Sequence, residues 1–307
     1  MKSRKNHKKS HKKSHNKSHK ISHKKSHNRP YHKSHKKNHK QKKFKKINCS
    51  PGKLTKRDYY TCYNDDTILN MKRLWNKRHP DDTIDANHAK QIWTQLKDKM
   101  SYVCETEKCW LNQQFMNNDV SSDLKTYTFA PKMPSKWKFN PNEWLTSTDL
   151  TQIMRHVEHG NKNFNFIGPS PIDFDHVENN KCIWPELCNF DLQKFINKGK
   201  TKIGMIFNLD PHYKGGSHWV SLFVDCANRY IFFFDSNGTK IPNEVKKLVD
   251  RIQTQSSKDG NMYKFDQNYP FEHQHKNTEC GIYSIYLIKT LLEKGNYDAF
   301  KKKRISD

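Results

Sequence analysis

The first 46 residues contain no acidic side chain, although they carry 20 of the chain's 57 Lys and Arg residues. The remaining 37 basic residues face 31 acidic ones, so the rest of the chain is only modestly basic. The net charge of +26 therefore resides mostly in one terminal stretch. Clustered basic residues bind polyanions by releasing counterions, which predicts non-specific nucleic-acid binding through residues 1–46.

Long apolar runs are also missing. No segment approaches the roughly 18 consecutive apolar residues of a membrane-spanning helix, and the N-terminus lacks the apolar stretch of a signal peptide. Eight cysteines in 307 residues do not make the disulfide framework of a small secreted domain. Neither Cys104 with Cys109 nor Cys182 with Cys188 has the spacing and His partners of a zinc site, so no metal site is predicted. We therefore expect a protein of a reducing compartment that is not secreted and makes no membrane contact.

Residues 1–57 form a low-complexity stretch of Lys, His and Ser, and half of the chain's 18 His lie within its first 39 residues. A spacing of four between successive His residues would align them on one face of a helix, as a metal-binding stripe requires. The stretch has almost no apolar residues and a dense positive charge. This composition favours a disordered Lys/His-rich basic tail over a metal-binding helix.

Beyond the tail the composition becomes ordinary, and two segments follow. Residues 58–120 are predicted to form a helical N-terminal extension, because apolar residues recur there at helical spacing: Ala89, Ile92, Trp93, Leu96 and Met100. Within 121–307, strand-like runs at 202–209, 219–225 and 230–235 are mixed with helical patterns. This order predicts an α+β domain over 121–307, in which helices flank a small, mostly antiparallel sheet.

A single cysteine opens the last long apolar helix, in NTECGIYSIYLIKTLLEKG at 277–295. An inert cysteine usually lies inside a core, whereas Cys280 stands at the helix N-terminus, directly before Gly281. Unpaired N–H groups and the helix dipole favour an anion there, so the thiolate forms more readily. The position indicates a nucleophile, although a core thiol would give the same pattern.

Two predicted strands offer a partner for this thiol. If 219–225 pairs with 230–235 across a short turn, His218 at the start of the first strand lies beside Asp235 at the end of the second. A carboxylate that contacts an imidazole fixes its tautomer and favours the imidazolium, which is the arrangement of a catalytic base.

Gln274 precedes the cysteine by six residues, and its amide is able to donate an N–H to an oxyanion, with the backbone N–H of Cys280 as a second donor. Each candidate also has a purely structural alternative. Asp235, before Ser-Asn-Gly, could shape a turn, and a histidine at a strand edge is commonly a hydrogen-bonded structural residue. Trp144 and Trp219 are more often core aromatics than substrate walls. Singly, none of these residues decides the function.

Together, GGSHWVSLFVD, FFFDSNG and QHKNTECG resemble the ubiquitin-like-protein (SUMO) protease and adenovirus-type cysteine endopeptidase clan. The chain order His–Asp–Gln–Cys, the His-Trp pair and the Asp-Ser after a strand agree with that clan. NEWL at 142–145 is similar to the Trp-Leu segment at the start of its catalytic domain. FNLDPHYKGGSHWV, with Glu279 in place of the more usual Asp, is most similar to thiol proteases of giant, mimivirus-like DNA viruses. The resemblance covers about residues 140–295.

This resemblance implies a papain-like cysteine protease core in 121–307. Cys280 would be the nucleophile and His218 the general base. Asp235 would orient His218, and Gln274 would donate to the oxyanion.

The same resemblance implies that Trp144 and Trp219 line a narrow tunnel for a Gly-Gly chain, because only residues without a Cβ atom pass between two indoles. The expected partner is a protein with a Gly-Gly motif, either a viral core or capsid precursor or a ubiquitin-like protein. The chemistry requires no cofactor, but DNA is a candidate activator because adenovirus-type relatives use viral DNA in that role. The expected location is the virion and the viral factory in the host cytoplasm.

Three alternatives stay open from the sequence. The chain could be a deconjugating protease for ubiquitin-like modifiers, or a DNA-binding structural protein with an inactive protease-like body, which the tail alone would support. It could also be an acetyltransferase, which some bacterial effectors build on the same fold and thiol, although no separate feature for coenzyme binding is present. The retention of four candidate residues argues against an inactive body: His218, Asp235, Gln274 and Cys280.

Overall fold

The computed structural model describes residues 42–52, 60–116, 120–258, 260 and 262–305. The basic tail up to residue 41, with its predicted nucleic-acid binding, lies outside the described residues. Within these ranges, none of the helices combines the length and the apolar character that crossing a membrane requires. The described residues belong to one compact unit.

The N-terminal segment is helical. It contains α1 (Asp65–Arg78), α2 (Ala89–Met100), α3 (Glu107–Trp110), a 3-10 turn (Gln114–Met116) and α4 (Ser122–Tyr127). Side-chain caps set three of the helix starts: Asn64, Thr106 and Ser121 each accept a backbone N–H from the first turn.

Helix α2 buries the stripe that the sequence indicated, through Ile92, Leu96 and Met100. The acidic residues before it stay outside the helix, because the backbone there is held against α1. The Trp75 indole donates to the carbonyl of Asp82. The side-chain amide of Asn76 donates to the carbonyl of Ile84. The helix therefore begins only at Ala89.

Residues 42–52, which the sequence analysis placed in the tail, pack on this helical segment. Phe44 meets Trp93 edge-on with ring centroids 6.0 Å apart, and Cys49 forms an isolated bridge with Phe129. Phe44, Ile47 and Cys49 pack against one buried cluster, whose members lie between Cys62 and Phe129. The predicted boundaries at 57 and 120 therefore do not match the packing, because Phe44 and Ile47 supply apolar surface inside a run of lysines.

The cysteines form three disulfide bonds: Cys49–Cys62, Cys104–Cys109 and Cys182–Cys188. Only Cys226 and Cys280 are free. The expectation that the cysteines make no disulfide framework is wrong, since pairing depends on spatial proximity, and the Cα atoms of Cys49 and Cys62 are 5.1 Å apart. Disulfides are rare in reducing compartments, so the pairing does not support the reducing compartment inferred from cysteine number.

After a 3-10 turn (Ser135–Lys138), the remaining chain starts with α5 (Ser147–Gly160). Thr146 and Asp149 exchange hydrogen bonds in a capping box at its N-terminus. The elements that follow are β1 (Phe164–Pro171), β2 (Val177–Glu178), β3 (Lys181–Cys182), α6 (Pro185–Cys188), α7 (Leu192–Asn197), β4 (Lys202–Asn208), β5 (Trp219–Asp225), β6 (Tyr230–Phe234), α8 (Asn243–Ser257), β7 (Lys264–Gln267), α9 (Cys280–Lys294) and α10 (Ala299–Lys302).

The main sheet has the strand order β1-β4-β5-β6-β7. Strands β4, β5 and β6 are antiparallel to their neighbours in the centre, whereas β1 and β7 join the two edges in parallel. The sheet is therefore mixed, not mostly antiparallel as predicted. A hairpin pattern in the sequence predicts pairing only between consecutive strands joined by a short turn, such as β5 and β6. The edge strands β1 and β7 pair with strands that are separated from them by long connections, so their pairing was not predicted.

Helices cover both faces of this sheet. On one face, α5 and α9 enclose a core that takes Trp219 and Phe223 from β5. On the other face, α7 and α8 pack over the alternate residues Val220, Leu222 and Val224. Strand β5 is buried on both sides, so its ends are held firmly in place.

Candidate active site

The β5–β6 hairpin carries the first two candidate residues. His218 directly precedes β5, Asp235 directly follows β6, and the register pairs Ser221 with Phe234. Both side chains consequently lie at the same end of the hairpin. The Nε2 atom of His218 is 2.6 Å from Oδ1 of Asp235, so the contact expected from the hairpin is present.

Asp235 is held rigidly behind the histidine and is only 2% exposed. Its backbone N–H donates to Oδ1 of Asn268 at 2.9 Å, and its carbonyl accepts from Nδ2 of Asn268 at 2.7 Å. Its Oδ1 atom also accepts the backbone N–H of Asn237 at 2.9 Å. The aspartate thus shapes the turn and contacts the histidine, so the two readings of Asp235 are compatible.

The His218 ring is poised as an imidazolium. Burial by itself lowers the pKa of His218, but hydrogen bonds and charge interactions with Asp235 and Cys280 raise it to about 9. Nε2 contacts Asp235, and the ring also interacts with the Cys280 thiol. One imidazole therefore connects a carboxylate to a thiol.

Cys280 is the first residue of α9 and is 1% exposed. The helix packs closely against the segment before α5, because a Cβ atom at Gly281 would come within 3.1 Å of the Leu145 side chain. The Cys280 thiol therefore lies at the N-terminus of α9 and interacts with the His218 ring.

Gln274 lies on the loop before α9 and is 5% exposed. Its Oε1 atom accepts a 2.7 Å hydrogen bond from the Ser236 hydroxyl. Its backbone N–H donates to the Ser236 carbonyl at 2.9 Å. With Oε1 engaged by Ser236, the side-chain NH2 group is left to donate elsewhere, as an oxyanion donor requires.

The two tryptophans differ in role. Trp219 is 8% exposed, and its indole N–H donates to the Leu145 carbonyl at 3.0 Å, so it is a packed residue as well as a wall. Trp144 is 40% exposed. Both line a groove of about 510 Å³, together with Pro171, Trp184, Asn208 and Gly216. None of His218, Asp235, Gln274 and Cys280 lines this groove, and none lines a larger cavity of about 670 Å³ beside α5.

Sequence reasoning missed Ser236 and Asn268, which hold the site in shape. Ser236 follows Asp235 directly, so the Asp-Ser pair that carries the family resemblance was an available signal. Asn268 left no signal, because its contact with Asp235 joins residues 33 positions apart. Among the described residues, no group of three or more His, Cys, Asp or Glu side chains is arranged to hold a metal ion.

Comparison with known proteins gives several similarities. Residues 188–307 match the family model described as the Ulp1 protease family, C-terminal catalytic domain. A protein of Acanthamoeba polyphaga mimivirus, whose name calls it a thiol protease, is 31% identical over 272 residues, which cover 81% of this chain and 86% of that protein. A protein of African swine fever virus, named SUMO-1 cysteine protease, is 25% identical over 247 residues, which cover 77% of this chain and 89% of that protein.

A solved structure has the same fold. The crystal structure of the African swine fever virus protease superimposes with a TM-score of 0.54 and 20% sequence identity, and the match covers 85% of this chain and 91% of that one. Because the match includes most of both chains, the similarity extends to the helical segment before α5.

Proposed function

We infer the function of this chain from its family, because the chain belongs to the Ulp1 family of cysteine proteases. It is a thiol protease that hydrolyses peptide bonds. We propose that Cys280 is its nucleophile, His218 its general base and acid, Asp235 the residue that orients His218, and Gln274 an oxyanion donor. The observation that carries this proposal is the His218 ring, which lies between the Asp235 carboxylate and the Cys280 thiol.

The first half of the reaction forms an acyl-enzyme. The Cys280 thiolate attacks the carbonyl carbon of the scissile bond, and the oxyanion receives hydrogen bonds from the Gln274 amide and the backbone N–H of Cys280. The imidazolium of His218 then gives its proton to the leaving amine nitrogen. The C–N bond breaks and a thioester to Cys280 remains.

The second half hydrolyses the thioester. Neutral His218 removes a proton from water, and the resulting hydroxide attacks the thioester carbonyl at the same oxyanion site. The C–S bond breaks, the carboxylic acid leaves, and Cys280 returns to a thiolate beside protonated His218. Asp235 keeps its contact with Nε2 of His218 and holds the imidazole in one orientation.

We propose that the substrate carries Gly-Gly before the scissile bond. Trp144 and Trp219 line one groove, and Leu145 between them packs on Gly281, next to the nucleophile. A substrate chain that reaches Cys280 beside two indoles has little room for side chains, and glycine has none. This arrangement supports selection for glycine by exclusion of larger residues.

The natural substrates that we propose are viral structural precursors. The relatives with extensive similarity come from large DNA viruses. A second candidate is removal of ubiquitin-like modifiers, which is favoured by the name SUMO-1 cysteine protease given to one relative. Both substrates would present a flexible Gly-Gly segment before the scissile bond, so the same groove serves either one.

DNA is proposed as a partner through the basic tail, and as an activator. Deletion of residues 1–41 keeps Phe44 and its packing, so it isolates the tail from the folded unit. We expect the deletion to abolish salt-sensitive DNA binding and any stimulation by DNA. Unchanged DNA affinity would remove the tail from this proposal. The contacts among His218, Asp235 and Cys280 argue against a purely structural DNA-binding protein.

An electrophilic Gly-Gly probe tests the catalytic proposal. We expect the wild-type protein and Cys226→Ala to be labelled, because burial raises the pKa of Cys226 to about 11 and that thiol is a poor nucleophile at neutral pH. Cys280→Ala should not be labelled. Labelling that survives in Cys280→Ala, or that is lost in Cys226→Ala, would refute the assignment. Parallel reactions with DNA measure activation.

A further inference from the structure

The loop that carries Gln274 contacts a second element besides the hairpin. Residues 299–305, which include α10, lie beyond the nucleophile helix and return to pack on this loop. Phe300 is 2% exposed and packs edge-on to Phe234 of β6, with centroids 5.5 Å apart. The segment is therefore anchored in the core close to the end of the catalytic hairpin.

His273 is the buried connection between the loop and this segment. It is fully buried, its Nε2 atom lies 2.7 Å from the Phe300 carbonyl, and its Nδ1 atom accepts the backbone N–H of Ile305 at 3.3 Å. Nε2 must therefore donate and Nδ1 must accept, which specifies a neutral ring. Burial lowers the pKa of His273, in agreement with this tautomer.

Arg304 contacts the backbone of the same loop from the outside. Its Nε atom donates to the His273 carbonyl at 3.3 Å, and its guanidinium also donates to the Gln274 carbonyl at 2.9 Å. The His273 carbonyl accepts a further bond from the Tyr283 hydroxyl of α9 at 3.1 Å. Arg304 thus bonds to two consecutive carbonyls, one of which is also tied to the nucleophile helix.

We propose that Arg304 is a positioning residue for the oxyanion donor, acting through the backbone carbonyls of His273 and Gln274, which flank the Gln274 α-carbon. The proposal rests on the role of Gln274 in the proposed function. Gln274 is held at its backbone N–H and its Oε1 by Ser236, and at its carbonyl by Arg304. Because hydrogen bonds hold both the backbone and the side-chain oxygen of Gln274, its NH2 group keeps one direction while negative charge develops on the substrate oxygen.

The chemistry of arginine suits this position. A planar guanidinium donates to two acceptors in a fixed geometry, whereas a lysine ammonium is a point charge on a flexible stem. Hydrogen bonds from a charged donor are also stronger than neutral ones. Lysine at position 304 could reach one carbonyl but would not fix the direction of both. The exposed neighbour Lys303 offers a matched control. Lys303→Ala removes one positive charge, as Arg304→Ala does, but leaves the two hydrogen bonds of Arg304 in place.

The test compares Arg304→Ala, Arg304→Lys and Lys303→Ala in the full chain. We expect Arg304→Ala to lower kcat for a Gly-Gly peptide by about 10- to 100-fold with little change in KM, a part of the loss seen when an oxyanion donor is removed. Arg304→Lys should lie between Arg304→Ala and wild type, and Lys303→Ala should match wild type. Alkylation of Cys280 by iodoacetamide forms no oxyanion, so its rate should be the same in all of them.

A double mutant separates positioning from general stability. If Arg304 acts through Gln274, Arg304→Ala should have no further effect on kcat in a Gln274→Ala background. Additive effects, an unchanged kcat in Arg304→Ala, or a parallel loss of alkylation would each overturn the positioning role. A wild-type protein that is alkylated at Cys280 but cleaves no peptide would instead refute the proposed function, and the role of Arg304 with it.

Discussion

Among individual residues, His218 controls how the site responds to pH. Its ring bonds to Asp235 on one side and faces Cys280 on the other. The pKa of about 9 means that the imidazolium persists through neutral pH and is lost as the pH rises through 9. Because the imidazolium supplies the proton to the leaving amine, activity should fall on the alkaline side when the histidine loses its proton.

Asp235→Asn should move this alkaline limit to lower pH. The amide keeps an oxygen near His218 but removes the negative charge that helps to raise the pKa of the ring. We expect the alkaline limb of kcat/KM to shift down from about pH 9 and kcat to fall on the order of 100-fold. The profile of kcat/KM against pH is the measurement.

Asp250→Asn is the control for this change, since Asp250 pairs with Lys246 on the exposed side of α8. It should leave the profile as in wild type. An Asp235→Asn profile with its alkaline limb unmoved would show that the carboxylate does not set the pKa of His218.

Among the elements, helix α5 connects the N-terminal segment to the site. Its first turn follows Trp144 and Leu145, and its last turn packs on residues 50–52. The Ser50 hydroxyl lies 2.9 Å from Nδ1 of His156, and the backbones at Gly52 and Gly160 approach so closely that neither position has room for a Cβ atom. The two glycines thus allow the N-terminal segment to pack directly on α5.

Gly160→Ala should weaken this attachment. A methyl group there would overlap the Gly52 carbonyl, and a backbone atom cannot move aside as a flexible side chain does. We expect a loss of about 1–3 kcal/mol in the free energy of unfolding, seen as a lower Tm. Since Gly160 is at the far end of α5 from Trp144, labelling of Cys280 should be retained at temperatures where the protein is folded.

Gly215→Ala is the matched control for stability, because a Cβ atom there would meet nothing within 4 Å. Its Tm should equal that of the wild type. Equal Tm values for Gly160→Ala and wild type would contradict the close packing of residues 50–52 on the helix.

At the scale of the whole molecule, disulfides and the core together hold the chain. The Cys49–Cys62 bond ties residues 42–52 to the helical segment across a separation of 13 residues. Closing a loop of this size restricts the unfolded chain and contributes about 3 kcal/mol in the chain-entropy model. The attachment of residues 42–52 therefore depends on oxidation as well as on packing.

Counting the reactive thiols of the unfolded protein, with and without reductant, tests whether the three disulfide bonds are present. Unfolded protein without reductant should react with maleimide at two cysteines, Cys226 and Cys280, and with reductant at all eight. The double variant Cys49→Ala with Cys62→Ala should unfold at a lower Tm and still react at two cysteines without reductant. Eight reactive thiols in the unreduced protein would contradict the three disulfide bonds.

Local patterns determined much of the site. The alternation in 219–225 and 230–235, with a short turn between, predicted the β5–β6 hairpin and with it the meeting of His218 and Asp235. The position of Cys280 at the start of an apolar helix predicted its place on α9. These predictions held because hairpin pairing and helix starts depend on residues close together in sequence.

Only the tertiary structure decided the rest. Three features join segments that are distant in sequence and whose local patterns do not indicate which segment they contact. They are the parallel pairing of β1 and β7 at the sheet edges, the cysteine pairs, and the packing of residues 42–52. The same is true of Asn268 behind Asp235 and of Arg304 beside Gln274, which are contacts across about 30 residues. Such contacts arise when the two faces of the sheet are buried together, and this burial depends on the whole chain rather than on any one stretch of it.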